Sequence, residues 1–170
     1  EGKLREEAEV TALNVTETGE GGKTDRRVGF VTSGPAYMHV RETFPNAPVL
    51  KLGLSYPAPF EKIRAFVATV DQCVIVEEVE PLLETELKAQ GIKVLGKDIL
   101  PRQGELSPNV LKPAIARLLG EPVPELPKGS RISAPLPVFP RPPTMCVACP
   151  HLGVYYTLSQ LRNVTISGDI

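Results

Sequence analysis

The chain has 170 residues, a formal net charge of −1 and a hydrophobic content of 42%. This length suits one domain, or one domain with part of another, and the apolar fraction is sufficient for a core. A charge near zero gives no electrostatic reason to expect nucleic acid or an acidic membrane as a partner. No apolar run reaches the ~18–20 residues of a membrane span, and the charged N-terminus is unlike a signal peptide. We therefore expect no nucleic-acid partner and no membrane association.

The cysteine content points to a reducing compartment. Cys73 lies in an apolar run and is interpreted as a small core residue. The other two cysteines, Cys146 and Cys149, are too close in sequence to close a useful disulfide loop. These features predict a cytoplasmic protein and exclude a secreted disulfide scaffold.

Residues 1–27 show a weak pattern, and their Gly-rich, charged second half predicts a surface loop or mobile arm. From Val28 onward, strand and helix patterns alternate four times. The predicted strands are "VGFVTS", "APVLKLGL", "QCVIVEEV" and the shorter "IKVLGK"; the predicted helices are "GPAYMHVRETF", "FEKIRAFVATV", "PLLETELKAQ" and "SPNVLKPAIARLLG".

Several residues set the expected helix boundaries. Thr32 or Ser33 is the predicted cap of the first of these helices, and Ser107 is the predicted cap of the last. In the first helix, the spacing predicts that Tyr37, Met38, Val40 and Phe44 share a broad apolar face.

The predicted strands are continuous apolar runs, which is typical of strands covered by helices on both faces. The fold class predicted for residues 28–120 is therefore a three-layer α/β/α domain with a mainly parallel sheet. Ligand and partner surfaces of such sheets gather at the carboxyl ends of the strands. Those ends are residues 32–34, 55–57 and 77–81.

Residues 121–143 carry eight prolines and predict an extended, semi-rigid linker. Beyond the linker, "HLGVYYTLSQL" predicts a helix and "NVTISGDI" predicts a strand. One helix and one strand cannot bury their own apolar faces. Residues 144–170 are thus interpreted as the truncated start of a second domain.

The pair Cys146-x-x-Cys149 is the main candidate for chemistry. Two thiolates at this spacing can bind one soft metal ion or an iron–sulfur cluster, or can form a redox pair. A zinc site needs two further ligands, and His151 is too close to Cys149 to supply one easily. The residues alone leave open a metal or redox module and simple packing.

Other polar residues favour structural roles. Glu77, Glu78 and Glu80 end the strongest strand; they suit acid–base chemistry, solvation, ion pairing or the docking of a partner. His39 is expected to be a half-buried core or interface histidine. No nucleophile–base–orienter set is present in the sequence, so residues 1–120 are interpreted as a scaffold and interface domain.

Several longer stretches of the sequence resemble a known protein family. "VGFVTSGPAYMHVRETFPNAPVLKLGLSYPAP", "VIVEEVEPLLETELKAQGIKVLGKDILPRQGELSP", "PPTMCVACPH" and "SGDI" occur in this order. Together they resemble the large α subunits of indolepyruvate:ferredoxin oxidoreductases, which are members of the thiamine-diphosphate-dependent 2-oxoacid:ferredoxin oxidoreductase family. The resemblance covers nearly all of residues 5–170.

The resemblance implies a domain order and an activity. Residues 28–120 match a domain like the C-terminal domain of transketolase, and residues 144–170 match the opening of the diphosphate-binding domain. The complete enzyme is expected to use thiamine diphosphate, Mg²⁺ and [4Fe–4S] clusters. It would convert aryl 2-oxoacids, chiefly indolepyruvate, to acyl-coenzyme A and pass electrons to ferredoxin. Its partners would be other domains of the same subunit, a β subunit, ferredoxin and coenzyme A.

The resemblance also implies site residues. Cys146 and Cys149 match two thiolate ligands of a [4Fe–4S] cluster, and His151 and Gly168 match cofactor-binding positions. The family has Pro-Gly between the cysteines, where this chain has Val-Ala, and Arg where this chain has Leu152. We expect no catalytic residue within the chain, no cofactor bound to it alone, and no activity of the isolated piece.

Overall fold

The computed structural model describes residues 2–19, 23–125, 149 and 151–166. The chain divides into two units, Glu1–Pro127 and Lys128–Ile170. The described helices of the first unit are α1 (Gly2–Val10), α2 (Gly34–Thr43), α3 (Phe60–Val67), α4 (Leu82–Ala89) and α5 (Pro108–Leu118), and its strands are β1 (Asn14–Glu17), β2 (Val28–Thr32), β3 (Val49–Leu52) and β4 (Gln72–Val76). The second unit contributes helix α6 (His151–Ser159).

The strands of the described residues form one sheet in the order β1-β3-β2-β4. Strand β2 pairs in parallel with both β3 and β4, whereas β1 pairs antiparallel with β3 at the edge. Every residue of β2 is buried, as expected for a central strand covered on both faces. The predicted mainly parallel α/β class is therefore confirmed.

Helices cover both faces of this sheet. Adjacent strand residues alternate between two apolar clusters, with Phe30 on one face and Val31 on the other. The cluster around Phe30 includes residues of α2 and α5, and the cluster around Val31 includes residues of α3 and α4. The predicted three-layer arrangement is thus confirmed.

The helix boundaries follow the predicted signals closely. Ser33 and Ser107 occupy the N-cap positions of α2 and α5, although neither side chain makes a capping hydrogen bond. The predicted apolar face of α2 is wrong at one position. Val40 is fully buried, but Met38 is 64% exposed, because it lies on the side of α2 that faces away from the sheet.

Residues 1–27 contain more regular structure than the predicted loop or arm. Helix α1 and strand β1 both lie there, and Asn14 holds them to the body. The amide Nδ2 of Asn14 donates to the carbonyls of Ala8 (2.9 Å) and Leu54 (3.0 Å), and its Oδ1 accepts the Leu54 N–H at 2.9 Å. One buried amide thus orders a segment whose local sequence signal is weak.

Two predicted strands are wrong. The segment "IKVLGK" forms only a parallel bridge between Leu95 and Val74 at the β4 edge, held by hydrogen bonds from Ile75 N to Leu95 O and from Leu95 N to Cys73 O. The described part of "NVTISGDI", residues 163–166, is not a strand. No neighbouring strand pairs with it within the described residues.

Candidate functional site

Two of the four predicted metal and cofactor residues, Cys149 and His151, lie at the start of α6. Cys149 carries a free, partly buried thiol, and its carbonyl accepts the Leu152 N–H at 3.0 Å, so it immediately precedes the first turn. His151 is the first residue of α6 and is exposed. Cys146 and Gly168 lie outside the described residues.

The donor chemistry of Cys149 suits a soft metal centre. A solvent-accessible thiol is a ligand for zinc or for the iron of a cluster. Among the residues that the structure describes, no three His, Cys, Asp or Glu side chains gather where they could hold a metal ion. The thiol of Cys149 is therefore compatible with the predicted role as a cluster ligand.

Helix α6 has no buried side chain. Four of its apolar residues, Leu152, Val154, Tyr155 and Tyr156, are 41–67% exposed, and Leu158 is partly buried. The expected helix is present, and the expectation that it cannot bury its own apolar face holds for the described residues of this unit.

A second candidate site lies at the carboxyl edge of the sheet. Strand β2 leads into α2 on one face and β4 leads into α4 on the other, so the chain diverges between two neighbouring parallel strands. A crevice of about 90 Å³ opens there. Its lining joins all three predicted strand ends: Thr32, Ser33, Ser55, Tyr56, Val76, Glu77, Leu82, Leu83 and Glu86.

The glutamates that follow β4 have structural partners. The carboxylate of Glu77 accepts the N–H groups of Leu83 and Glu84, both at 3.0 Å, at the start of α4. Glu78 accepts the Leu106 N–H at 3.1 Å. Glu80 is 72% exposed and lies 3.6 Å from Arg102. Two of the three candidate acid–base groups are thus used in building the loop, and Glu80 faces solvent.

His39 and Cys73 have the structural roles expected from the sequence. His39 is partly buried, and its Nε2 lies 2.9 Å from a carboxylate oxygen of Glu105. Cys73 is only 4% exposed, and burial raises the pKa of its thiol to about 12. A thiol that remains protonated is a poor nucleophile and a poor metal ligand.

Sequence reasoning missed two buried or bridging carboxylates. Glu9 of α1 accepts the N–H groups of Glu61 (3.0 Å) and Lys62 (2.8 Å), and so caps α3 from a distance. Glu84 is 4% exposed and accepts from the Lys97 N–H (2.8 Å) and from Nζ of Lys88 (2.7 Å). One feature of the sequence does indicate that a helix needs a capping carboxylate from elsewhere in the chain.

That feature is proline at a helix start. Pro59 and Pro81 occupy the N-cap positions of α3 and α4, and a proline side chain cannot accept a hydrogen bond from the first turn. Acceptors from elsewhere in the chain are therefore needed, and Glu9 and Glu77 supply them. The sequence indicates the need but not which residue meets it.

Within the described residues, no helix combines the length and apolar character that crossing a bilayer requires. No family model matches the sequence.

Curated relatives nevertheless match most of the chain. It is 31% identical over 172 residues to indolepyruvate oxidoreductase subunit IorA of Pyrococcus horikoshii, 33% identical to the subunit of the same name from Thermococcus kodakarensis, and 32% identical to that of Methanothermobacter thermautotrophicus. These alignments cover 92%, 92% and 98% of the chain. They cover only 26%, 26% and 28% of the relatives, so the chain spans about a quarter of their length.

One solved structure is similar over part of the chain. A 2-oxoglutarate:ferredoxin oxidoreductase from Magnetococcus marinus matches 51% of this chain and 16% of its own, with 24% identity and a TM-score of 0.42. The sequence alignments cover far more of the chain and bear on the resemblance directly. These alignments confirm the resemblance found in the sequence. Over more than nine-tenths of its length, the chain is a relative of one segment of the indolepyruvate oxidoreductase subunit IorA.

Proposed function

We propose that the chain is a segment of the large subunit of an indolepyruvate:ferredoxin oxidoreductase, and that its α/β body is a structural and interface domain of that subunit. The observation that carries this proposal is the 31–33% identity to IorA subunits over at least 92% of the chain. The structural role is supported by the carboxyl edge, where Glu77 and Glu78 are committed to backbone N–H groups.

The domain organisation belongs to the same proposal. Residues 1–27 are an interdomain segment, residues 28–120 are a transketolase C-terminal-like domain, and residues 121–143 are a Pro-rich linker. Residues 144–170 open the diphosphate-binding domain. Helix α1 and strand β1 pack on the body, which suits a segment that joins this domain to the one before it.

The complete enzyme would oxidatively decarboxylate aryl 2-oxoacids to acyl-coenzyme A in the cytoplasm. Thiamine diphosphate with Mg²⁺, held largely by parts of the subunit outside this chain, would supply the carbanion-stabilising chemistry when it is bound. Other domains of the subunit, a β subunit, coenzyme A and ferredoxin are the partners of this activity. The chain described here supplies structure and, near α6, part of a cofactor environment.

The proposed contribution to that environment rests on four residues. Cys146 and Cys149 would ligate a [4Fe–4S] cluster through their thiolates, and His151 and Gly168 would contact cofactor. The free, partly exposed thiol of Cys149 at the start of α6 supports this role. The buried thiol of Cys73 does not suit it, which makes Cys73 a matched control.

The test uses the full-length subunit, co-expressed with its β subunit and purified without oxygen. We expect Cys149→Ser to lower the iron content by the equivalent of one cluster per subunit and to abolish indolepyruvate-dependent reduction of a viologen dye. Cys73→Ala should leave the iron content unchanged. Full iron content and activity in Cys149→Ser would contradict the ligand assignment. Stoichiometric zinc bound by the cysteine pair, without iron, would favour a zinc or redox module instead.

A further inference from the structure

We propose that the crevice between the carboxyl ends of β2 and β4 is a docking socket for one apolar side chain flanked by Lys or Arg, presented by another domain of the full-length subunit. We call it the carboxyl-edge socket, defined by the nine lining residues given above. The inference deepens the proposed function and rests on it, because it assumes that the chain works inside a longer polypeptide.

The position of the socket favours recognition. The connections after β2 and β4 leave toward opposite faces of the sheet, and this divergence opens the crevice in which open α/β sheets bind their ligands. The crevice is formed by parts of three different connections, since Ser33, Tyr56 and Leu82 follow β2, β3 and β4 respectively. A site assembled from three connections is set by the fold and not by one flexible loop.

The volume of the socket decides what it can hold. Small-molecule and cofactor sites usually have about 300–1,000 Å³, whereas this crevice has about 90 Å³. That space accommodates the end of one aliphatic side chain. Two of its walls are large apolar groups left in solvent, since Tyr56 is 60% and Leu82 is 62% exposed. Small apolar pockets of this kind receive the anchor residues of protein interfaces.

The charge around the socket indicates which residues should lie on either side of the docked apolar side chain. Glu77 and Glu86 line the crevice, and no Lys or Arg is among its lining residues. Glu80, two residues before Leu82, is 72% exposed and lies 3.6 Å from Arg102. The nearby ammonium group of Lys97 is already bound to the carbonyls of Glu77 (2.6 Å) and Pro101 (3.2 Å). When Lys97 and Arg102 are counted against Glu77, Glu80 and Glu86, the rim keeps an excess of one negative charge. A partner with Lys or Arg beside its apolar anchor would complement that charge.

The same charge argues against a second copy of the chain as occupant. A two-fold interface brings the same surface patch of both molecules together. Such a dimer would place Glu80 and Glu86 of one copy opposite the same acidic rim of the other, and like charges in an interface oppose association. A different domain, with basic flanks, has no such penalty.

Hydroxyl-radical footprinting tests the proposal. Oxidation rates of Tyr56 and Leu82 are compared between the 170-residue chain and the full-length subunit at equal concentration. We expect both residues to react at least five-fold more slowly in the full-length subunit. Equal rates in the two proteins would overturn the proposal. So would slower oxidation that appears in the 170-residue chain when its concentration is raised, since that identifies a second copy as the occupant.

Two variants of the full-length subunit make the test specific. Glu80→Lys reverses a rim charge and should restore at least half of the fast Tyr56 oxidation. Asp71→Lys is the matched control, because Asp71 is an exposed acid just before β4, at the opposite end of the strand, and it should leave Tyr56 protected. Equal effects of the two reversals would refute the socket. The oxidation rates can be measured without iron and without catalytic turnover. A negative result would therefore contradict the socket and leave the enzymatic assignment unaffected.

Discussion

The contact between Gly96 and Glu84 yields a quantitative prediction about the core of the fold. A Cβ atom added at Gly96 would lie against Oε2 of Glu84 and 2.6 Å from its Cδ. The backbone at Gly96 has no unusual dihedral angle that requires glycine. Gly96→Ala should therefore act through this one carboxylate, which must move to make room for the methyl group.

The cost follows from what the carboxylate loses when it moves. Its hydrogen bond from the Lys97 N–H, at 2.8 Å, is partly buried, and breaking a hydrogen bond to a charged group costs about 1.5–3 kcal/mol. The ion pair to Lys88 adds less, because the lysine side chain is 42% exposed and solvent screens it. We expect Gly96→Ala to lower the free energy of unfolding by about 2–4 kcal/mol.

A double-mutant cycle isolates the contact. Glu84→Ala alone should cost about 2–3 kcal/mol, because it leaves the partly buried Lys97 N–H without its acceptor. In that background, Gly96→Ala has nothing to displace, so the double variant should be more stable than the sum of the single effects predicts, by about 1.5–3 kcal/mol.

Urea unfolding followed by far-ultraviolet circular dichroism gives the four free energies, since the chain has no tryptophan for fluorescence. Gly2→Ala is the control, because nothing lies within 4 Å of a Cβ added there; it should change stability by less than about 0.5 kcal/mol. Single effects at Gly96 and Glu84 that add to within about 0.5 kcal/mol would refute the reasoning.

Three further predictions concern other buried or bridging groups. Asn14→Ala should cost about 2–4 kcal/mol in urea unfolding, and Asn14→Asp should fail to rescue it, because a carboxylate can accept from Leu54 N but cannot donate to a carbonyl. Glu9→Ala should cost about 1 kcal/mol by removing the cap of α3, whereas Glu6→Ala, at an exposed position of the same helix, should be neutral; equal costs would contradict the capping role. For Cys73, the folded thiol has its pKa raised from 9.0 to about 12, so the unfolded state loses its proton first as the pH rises. The free energy of unfolding should then fall by about 1.4 kcal/mol per pH unit between those values, relative to a Cys73→Ala variant measured over the same range.

The sequence predicted the central part of the fold because its signals there are local. Each strand from β2 to β4 is a continuous apolar run. Each following helix is preceded by a serine or a proline at its N-cap and shows apolar spacing. Gly91 and Gly120 have positive φ values of 71° and 66° just beyond the ends of α4 and α5, as expected of glycine after a helix. In this part of the chain, the apolar periodicity, the glycines that follow helices and the N-cap residues all predict the same element boundaries.

The sequence could not predict the parts that depend on distant partners. Strand β1 is ordered by its pairing with β3 and by the Asn14 amide, and a single asparagine carries no pattern that identifies its acceptors. The segment after α4 fails as a strand because its apolar residues pack on the cluster around Val31 while only Leu95 reaches the β4 ladder. The burial of a carboxylate such as that of Glu84 could not be predicted either, because glutamate in a helix normally indicates a solvated face.

The acidic end of β4 shows how the two kinds of information combine. From the sequence, Glu77, Glu78 and Glu80 favour solvation or pairing with Arg or Lys, while acid–base chemistry and the docking of a partner stay open. The structure separates them by geometry, because two of the carboxylates receive backbone N–H groups and only Glu80 projects into solvent. A carboxylate that accepts backbone N–H groups is held in one position, which suits a rigid support of the loop. The remaining outward charge of Glu80, near a crevice too small for a cofactor, suits an interface and not a catalytic site.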